Sequence, residues 1–366
     1  MEKSRNRAVG RQARKMIAAA MAAMLVFTSA NVADVNAEET VLAVSENAVT
    51  GETGAGVVEA EKNTGEPEVE NGGAENREAE NIDLDAETAD GTHTYKNGFC
   101  TDDGCNAYEP AVLTTGKYDI DANGKITDSD EAYEIGNAGQ LYWFAGLVNG
   151  TLTDGTAQNL KANAVLTADI IVNKDLLTSI NTDDDGNVTN GSSFKAWRPM
   201  GMADEKGNLT GWYTGIFDGN GHSISGLYVN RDEAADDVHT WFKSCIGLFG
   251  YYSGVTRNLS VLDSYMRGKD CIGGICGYKD GGTVQNCYSA ATVCGDSYIG
   301  GICGRSEGDS IIENCYNTGY VYGATRSIGG ICGDNSATLQ GCSNVGNVKG
   351  KFHVGGIVGE LSLIHI

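Results

Sequence analysis

The sequence predicts an all-β fold, a parallel β-helix (β-solenoid) built from coils of about 27 residues. The main observation is a box, Ile-Gly-Gly-Ile-Cys-Gly, at residues 272–277 that recurs at 299–304 and 328–333, and then as Val-Gly-Gly-Ile-Val-Gly at 354–359. The steps between boxes are 27, 29 and 26 residues, and a fixed period of this size is typical of solenoids and arrays. The chain also has 51 glycines against 3 prolines, which favours short strands separated by turns.

The first 37 residues are predicted to be a signal peptide. Six basic residues between Lys3 and Lys15 precede an apolar run from Met16 to about Val26, and a small-residue cleavage site ends at Ala37. The apolar run is too short to favour spanning a bilayer. We therefore expect a secreted protein, retained on the cell surface in one interpretation, with no transmembrane segment beyond the signal peptide.

Residues 38–92 are predicted to form a disordered acidic linker. Positions 38–90 carry 16 acidic and 2 basic side chains and no aromatic residue, so this stretch cannot bury enough apolar surface to offset its ordering entropy. The whole chain has a net charge of −23, and removing residues 1–37, with six basic and two acidic side chains, leaves −27. A chain this acidic, without a basic stripe, argues against nucleic acid as a partner.

Residues 93–163 are predicted to be an N-terminal cap region with a helix over 138–148. Asn137 can cap the helix, with Gln140 at the capping-box position. Apolar residues follow helical spacing at Leu141, Phe144, Ala145 and Val148. Because a solenoid with a bare end exposes its core and its strand edges, we expect this helix to cover the first coil.

Residues 164–360 are predicted to be the solenoid itself. Between the boxes lie short runs rich in Val, Ile, Thr and Tyr, such as Thr283–Ser289 and Ile311–Tyr316, each ended by Gly, Asn or Asp. We expect three short strands per coil, and two polar insertions, at about 174–196 and 231–244, that leave the stack as loops.

Residues 361–366 are predicted to be a non-native, truncated end. They follow Gly359 and Glu360 inside a repeat and are typical of the ends of gene fragments. On this interpretation the natural protein continues beyond residue 360.

The boxes Gly-Gly-Ile-Cys-Gly and Gly-Gly-Ile-Val-Gly, with Asn-Cys-Tyr following at 286–288 and 314–316, resemble the GLUG repeat. That repeat occurs in large secreted and surface proteins of bacteria, including the stalks of some IgA-specific metallopeptidases. The runs 133–145 and 215–227 are similar to segments that accompany GLUG repeats in surface proteins of gut Firmicutes, and the resemblance implies a fragment of such a protein. It implies no catalytic residues, and the peptidase zinc motif His-Glu-x-x-His is absent from the sequence.

Most of the eleven cysteines fall into columns of the repeat alignment. One column aligns Cys276, Cys303 and Cys332 with Phe249 and Val358; another aligns Cys287, Cys315 and Cys342 with Leu259. Replacement by large apolar residues is the behaviour of a buried small hydrophobe. Disulfides between stacked coils and a metal ladder remain alternatives, because equivalent Cα atoms would lie about 4.8 Å apart.

Two local motifs of the cap region are candidate metal or disulfide sites. His93, Cys100 and Cys105 allow one local disulfide, half of a zinc site without an evident fourth ligand, or free thiols. The run 119–130 matches a calcium loop, with Asp119, Asp121, Asn123, the carbonyl of Lys125 and Asp130 as candidate ligands. Its last ligand is Asp rather than Glu and a strand follows it, so a plain acidic turn is the alternative.

The sequence shows no catalytic residues and no certain cofactor, calcium being the one candidate. We expect a repeat scaffold, adhesin-like or a stalk, that binds an unknown extracellular ligand such as a glycan or a host or bacterial surface protein. One alternative is a carbohydrate-active β-helix enzyme, for which Asp218 and His222 are the suggestive residues. The other is the non-catalytic stalk of a larger secreted peptidase.

Overall fold

The structure, a computed structural model of the chain, describes residues 87–89, 93–183, 187–202, 211–231 and 244–361. The predicted signal peptide, the predicted linker apart from residues 87–89, and residues 362–366 lie outside these ranges. The described residues form a parallel β-solenoid of about seven turns, which confirms the predicted fold class.

The described region begins with a small antiparallel sheet. It is formed by β1 (Glu87–Ala89), β2 (Thr94–Lys96) and β3 (Phe99–Cys100). Further along, β4 (Val112–Thr115) pairs antiparallel with β5 (Glu131–Ile135). Strand β5 in turn pairs parallel with the next strand of the stack, so it joins the cap region to the solenoid.

Helix α1 spans Ala138–Asn149, where the sequence predicts a helix over 138–148. The Asn137 side chain accepts a hydrogen bond from the Gln140 amide at 2.9 Å, and Gly150 ends the helix in the left-handed conformation. Fully buried side chains on the helix include Leu141, Phe144 and Val148. They belong to the same apolar core as the coils, so α1 covers the first turns.

Each complete coil contributes five short strands, one to each of five sheets, and not the three strands that the sequence predicts. Sheet 1 contains β4, β5, β6 (Ala164–Leu166), β8 (Ile216–Asp218), β12 (Val255–Arg257), β17 (Thr283–Gln285), β22 (Ile311–Glu313) and β27 (Thr338–Gln340). Sheet 2 contains β7 (Ile170–Ile171), β9 (Ser223–Ser225), β13 (Ser260–Leu262), β18 (Tyr288–Ser289), β23 (Tyr316–Asn317) and β28 (Ser343–Asn344). Sheet 3 contains β10 (Tyr228–Asn230), β14 (Tyr265–Arg267), β19 (Thr292–Gly295), β24 (Val321–Gly323) and β29 (Val348–Lys349). Sheet 4 contains β15 (Asp270–Gly273), β20 (Ser297–Gly300), β25 (Arg326–Gly329) and β30 (Phe352–Gly355). Sheet 5 contains β11 (Phe249–Tyr252), β16 (Cys276–Asp280), β21 (Cys303–Glu307), β26 (Cys332–Asn335) and β31 (Val358–Leu361).

The glycine-rich box forms the corner between sheets 4 and 5. A Cβ atom added at Gly274 would overlap the Gly301 carbonyl oxygen of the next coil, and one added at Gly304 would overlap the backbone of Cys271 and Ile272. The box therefore lets the backbones of two sheets, and of successive coils, approach more closely than any side chain would allow. Because of this corner, each glycine-rich box and its flanking residues form two strands, one in sheet 4 and one in sheet 5.

The coils stack in the register that the repeat alignment predicts. In sheet 5, Phe249 pairs with Cys276, Cys276 with Cys303, Cys303 with Cys332, and Cys332 with Val358. Parallel in-register pairing places equivalent side chains directly above one another, so each column of the alignment is a physical column along the solenoid axis.

The insertion at 174–196 packs on the outside of sheet 3. It contains helix α2 (Leu176–Ser179) and a short 3-10 helix at Gly191–Ser193. The Asp263 carboxylate accepts hydrogen bonds from the first two amides of α2, at 2.7 and 3.0 Å. Leu176, Leu177 and Ile180 form a small apolar cluster with Tyr228 and Tyr265, so this part of the insertion is held against the stack. Most of the second insertion, 232–243, lies outside the described residues.

Candidate functional site

The two predicted cysteine columns lie inside the solenoid. All six of their cysteines are free thiols; Cys276, Cys303 and Cys332 are fully buried and Cys342 is partly exposed. Contact with the neighbouring thiol and burial raise the pKa of Cys276 well above its ordinary value, and burial does the same for Cys303. Thiols held protonated in an apolar core pack as small hydrophobes, in agreement with the first interpretation of the columns.

A second inward column of sheet 5 is polar. Tyr252 pairs with Lys279, Lys279 with Ser306, and Ser306 with Asn335. All four side chains are buried, and Lys279 is 0 % exposed. The ammonium group donates to the Gly254 carbonyl at 3.0 Å and lies 4.4 Å from the centre of the Tyr252 ring. Burial lowers the pKa of Lys279 to about 8, so the charged form of this side chain is disfavoured inside the core.

The cap region brings His93, Cys100 and Cys105 together. Their ligand atoms lie within 4.8 Å of one another, and His93 Nδ1 is 3.5 Å from each sulfur. A fourth group, the Asp102 carboxylate, lies 3.5 Å from Cys100 Sγ and 3.6 Å from His93 Nδ1. Burial, followed by the contact with Cys105, raises the pKa of Cys100 to about 11. His93, Cys100 and Cys105 therefore form a set that could hold a metal ion, and the Asp102 carboxylate lies beside two of its members.

A tight hairpin positions this cluster. Asn97 and Gly98 connect β2 to β3 with φ values of 48° and 74°, the positive pair that a two-residue hairpin turn requires. The turn also docks on the start of α1, where the Gly139 amide donates to the Asn97 carbonyl at 3.0 Å. The hairpin thus fixes Cys100 relative to His93 and ties both to the helix.

Asp102 is the site residue that the sequence did not identify. It lies between the two cysteines, beside Asp103 and Gly104, in a stretch that forms a turn. Two adjacent aspartates inside a Cys-x4-Cys loop indicate that a carboxylate could serve as a fourth ligand. Spacing alone does not decide which of the two lies close to the cysteines and His93.

The run 119–130 is the loop between the antiparallel strands β4 and β5. Ligand oxygens of Asp119, Asp121 and Asp130 lie within 4.8 Å of one another. Asp119 accepts from the amides of Asn123 and Gly124 at 3.0 and 2.7 Å. The Asn123 side-chain oxygen accepts from the Lys125 amide at 2.9 Å. Three of the five predicted ligands are therefore close together. The Asn123 side-chain oxygen is engaged by the Lys125 amide, which is not the Lys125 carbonyl that the sequence predicts as a ligand.

Arg257 anchors the same loop to the solenoid. Its Nη2 donates to the carbonyls of Asp119 and Ile120 at 3.0 and 3.3 Å, while its Nε lies 2.6 Å from Asp218 Oδ2. Both ionic side chains are largely buried, at 10 % and 14 % exposure. Asp130 is turned into its own loop, where hydrogen bonds from Thr127 hold the pKa of its carboxyl below the ordinary value.

Asp218 and His222, the suggestive pair for a carbohydrate-active site, each have a different partner. Besides Arg257, Asp218 accepts hydrogen bonds from the Asn220 amide at 2.8 Å and from the Asn258 side chain at 3.2 Å. The ring of His222 lies against Asp169, at 3.5 Å. These contacts fix the corner between sheets 1 and 2, so a structural role accounts for both residues.

The outer column of sheet 5 changes in chemistry along the solenoid. Its members in register are Tyr251, Tyr278, Arg305, Asp334 and Glu360. Arg305 forms ion pairs with Glu307 and with Asp334, the latter at 3.2 Å. Its guanidinium also lies 5.3 Å from the centre of the Tyr298 ring on sheet 4. We call this set the outer column; its charges bridge neighbouring coils.

Neither helix within the described ranges is long and apolar enough to cross a membrane.

Comparison with known proteins identifies one repeat directly. The family model of the GLUG motif matches residues 295–322, which run from the end of β19 to β24 and make up about one coil. A crystal structure of a candidate immunoglobulin A1 protease from Bacteroides ovatus is similar to this chain with a TM-score of 0.47 and 22 % sequence identity. That similarity covers 65 % of this chain and 64 % of the other, so the chain spans less than two thirds of that protein. No curated protein matches the chain.

Proposed function

We propose that this chain, which carries a GLUG repeat within a β-solenoid, is a secreted or cell-surface scaffold, adhesin-like or a stalk, that binds extracellular ligands without catalysis in this region. The observation that carries the proposal is the outer column of sheet 5. Its charged side chains are paired with residues of the adjacent coils, which is the arrangement expected of groups that hold repeats together.

The geometry around Arg305 illustrates the point. The guanidinium binds one carboxylate of its own strand, Glu307, and one of the next coil, Asp334. Two carboxylates on one face are what a glycosidase would need, but here one arginine forms an ion pair with each of them. Carboxylates held in this way tie one coil to the next, so the cluster supports a scaffold better than an active centre.

The extracellular location is part of the proposal. It is supported by the predicted signal peptide, by the acidic stretch that follows it and by the resemblance of the boxes to surface-protein repeats. Fractionation of cells that express the full chain tests it: antibody should detect the protein in the medium or on intact cells, and a cytoplasmic pool alone contradicts the location.

Ligand binding and catalysis are separated by two assays on the same purified chain. We expect binding to members of a glycan array or to a panel of host and bacterial surface proteins, with no release of reducing ends or unsaturated sugars from pectin-like polysaccharides. An Asp334→Asn variant is the matched control. Turnover that this substitution abolishes would establish the enzyme alternative, and absence of any binding would leave a stalk in place of an adhesin.

A further inference from the structure

We propose that His93, Cys100 and Cys105, with the Asp102 carboxylate as the fourth ligand, hold a zinc ion that joins the β2–β3 hairpin to the turn that follows it. The proposal is independent of the ligand-binding function proposed above. It rests on the spacing of the four ligand atoms, on their chemical types and on what the hairpin contacts.

The spacing fits a tetrahedron around one zinc ion. With Zn–S bonds of about 2.3 Å and Zn–N or Zn–O bonds of about 2.0 to 2.2 Å, the edges of a tetrahedral site run from about 3.3 Å between nitrogen and oxygen to about 3.8 Å between two sulfurs. Four of the six ligand–ligand distances are set by the structure. The two sulfur–nitrogen distances from His93 are 3.5 Å, the Cys100–Asp102 distance is 3.5 Å, and the His93–Asp102 distance is 3.6 Å. All four agree with the edges that zinc imposes. The set whose ligand atoms all lie within 4.8 Å of one another contains His93, Cys100 and Cys105 only, so the Asp102 carboxylate has to turn toward Cys105 to close the tetrahedron.

The donor set selects among metals. Two thiolates, one imidazole and one carboxylate are the donors that bind zinc, whereas calcium and magnesium prefer oxygen ligands alone. The Cys105 sulfur accepts a hydrogen bond from the Ala107 amide at 3.4 Å, an outer contact of the kind that orients metal-binding side chains. The side chains of His93 and Asp102 are 37 % and 50 % exposed, so an ion can enter from solvent.

A disulfide between Cys100 and Cys105 is the competing arrangement. It would use both sulfurs and leave the contact between His93 and Asp102 intact, but it would not use the position of His93 Nδ1, which is 3.5 Å from each sulfur. Zinc binding uses the imidazole and both sulfurs at once, and this is why the geometry favours the metal.

The hairpin connects the site to the end of the solenoid. The Asn97 side chain at its turn donates to the Ile171 carbonyl of sheet 2 at 2.9 Å. The Phe99 ring packs edge-on against Tyr108 and Tyr142, with centroids 6.0 and 5.3 Å apart. A metal that fixes Cys100 and His93 therefore also holds the segment that lies over α1 and the first coils.

The test uses the full chain, reduced and freed of metal, with Co2+ as a spectroscopic probe and Zn2+ as the competitor. We expect one tightly bound Co2+ with the visible bands of tetrahedral cobalt and a thiolate-to-cobalt charge-transfer band, both lost when Zn2+ displaces it. Cys100→Ser should remove the bands. Asp102→Asn should weaken zinc binding by at least tenfold, since even outer-contact changes cost about 10- to 100-fold. Asp103→Asn, at the adjacent exposed position, should match the unmodified protein.

Circular dichroism establishes that each variant folds. Limited proteolysis gives a second readout, because zinc should protect residues 93–110 from cleavage in the unmodified chain and not in Cys100→Ser. Four results would overturn the proposal. The first two are spectroscopic: the reduced chain shows no cobalt bands, or the bands survive Cys100→Ser. The other two are equal zinc affinity in the Asp102 and Asp103 variants, and a Cys100–Cys105 disulfide that forms even when zinc is present during folding.

Discussion

Replacing Lys279 by methionine is expected to stabilise the protein at neutral pH. The lysine is fully buried in the inward polar column of sheet 5, and burial lowers its pKa from 10.5 to about 8. At about 1.4 kcal/mol per pKa unit, holding the charged form in the folded state costs about 3 kcal/mol. Methionine has a similar length and no charge, so most of this cost disappears.

Two contacts are lost in the exchange. The interaction with the Tyr252 ring, 4.4 Å from the ammonium, is worth about 1 to 2 kcal/mol in a desolvated site. The Gly254 carbonyl loses the lysine but keeps the hydrogen bond from the Thr283 amide at 3.1 Å. The expected net gain for Lys279→Met is therefore about 1 to 2 kcal/mol at pH 7.

The same pKa shift also sets the sign of the pH dependence of the stability. The folded pKa is below the unfolded one, so the unfolded chain binds more protons between pH 8 and 10.5. The penalty is fully present below pH 8 and disappears as the pH rises through this window, which means that the unmodified protein gains stability there. The advantage of the variant should shrink by about 2 kcal/mol between pH 7 and pH 10.

Urea unfolding of both proteins under reducing conditions at the two pH values measures this difference. Lys269→Met, at an exposed position of the preceding strand connection, is the control and should change stability by less than about 0.5 kcal/mol. A variant that is less stable at pH 7, or a difference that is the same at both pH values, would refute the reasoning.

Three further predictions concern the cap loop and the corners. If the 119–130 loop binds calcium, the thermal unfolding midpoint should rise at millimolar calcium, the range in which extracellular modules bind, and Asp119→Ala should abolish the rise. If the unmodified chain shows neither heat of binding nor a change in the midpoint, the loop is a plain acidic turn. Arg257→Gln removes the buried partner of Asp218 and the hydrogen bonds to the loop, so the free energy of unfolding in urea should fall by about 3 kcal/mol. Proteases should also cleave residues 119–130 faster, and an unchanged cleavage rate would contradict the anchoring role. Gly301→Ala should destabilise by about 1 to 3 kcal/mol because its Cβ would overlap the Gly330 carbonyl, whereas Gly356→Ala, with open space at the equivalent position of the last coil, should cost much less; equal losses would disprove the close-approach explanation.

The repeat period was sufficient to predict the solenoid and the stacking of its columns. A column that accepts Cys276 in one coil and Phe249 in another must face the core, and in-register stacking follows from the equal spacing. The number of strands per coil was not predictable in the same way. Strands such as Tyr288–Ser289 have two residues, too few to show an alternation of polar and apolar positions.

The cap region was less accessible to sequence reasoning because its contacts are not repeated. The choice of Asp102 over Asp103 depends on how one turn folds, and no periodicity reports on it. Lys279 gave no signal either, because a lysine followed by aspartate ordinarily indicates a solvated strand end. Its burial follows from its place in a column whose other members are Tyr252, Ser306 and Asn335, and only the register reveals that column.

The five-strand coil has a consequence for reach. One coil of 26 to 29 residues advances the solenoid by a single interstrand spacing of about 4.8 Å. The chain thus gains about 0.2 Å of length per residue, against about 1.5 Å in an α-helix. Its length changes only in whole steps of one coil, so loss or duplication of a repeat would alter the height of the stack by one step and leave every side face aligned. A fold of this kind uses many residues for each ångström of length but presents broad side faces. Copying one short stretch of sequence extends those faces by one coil.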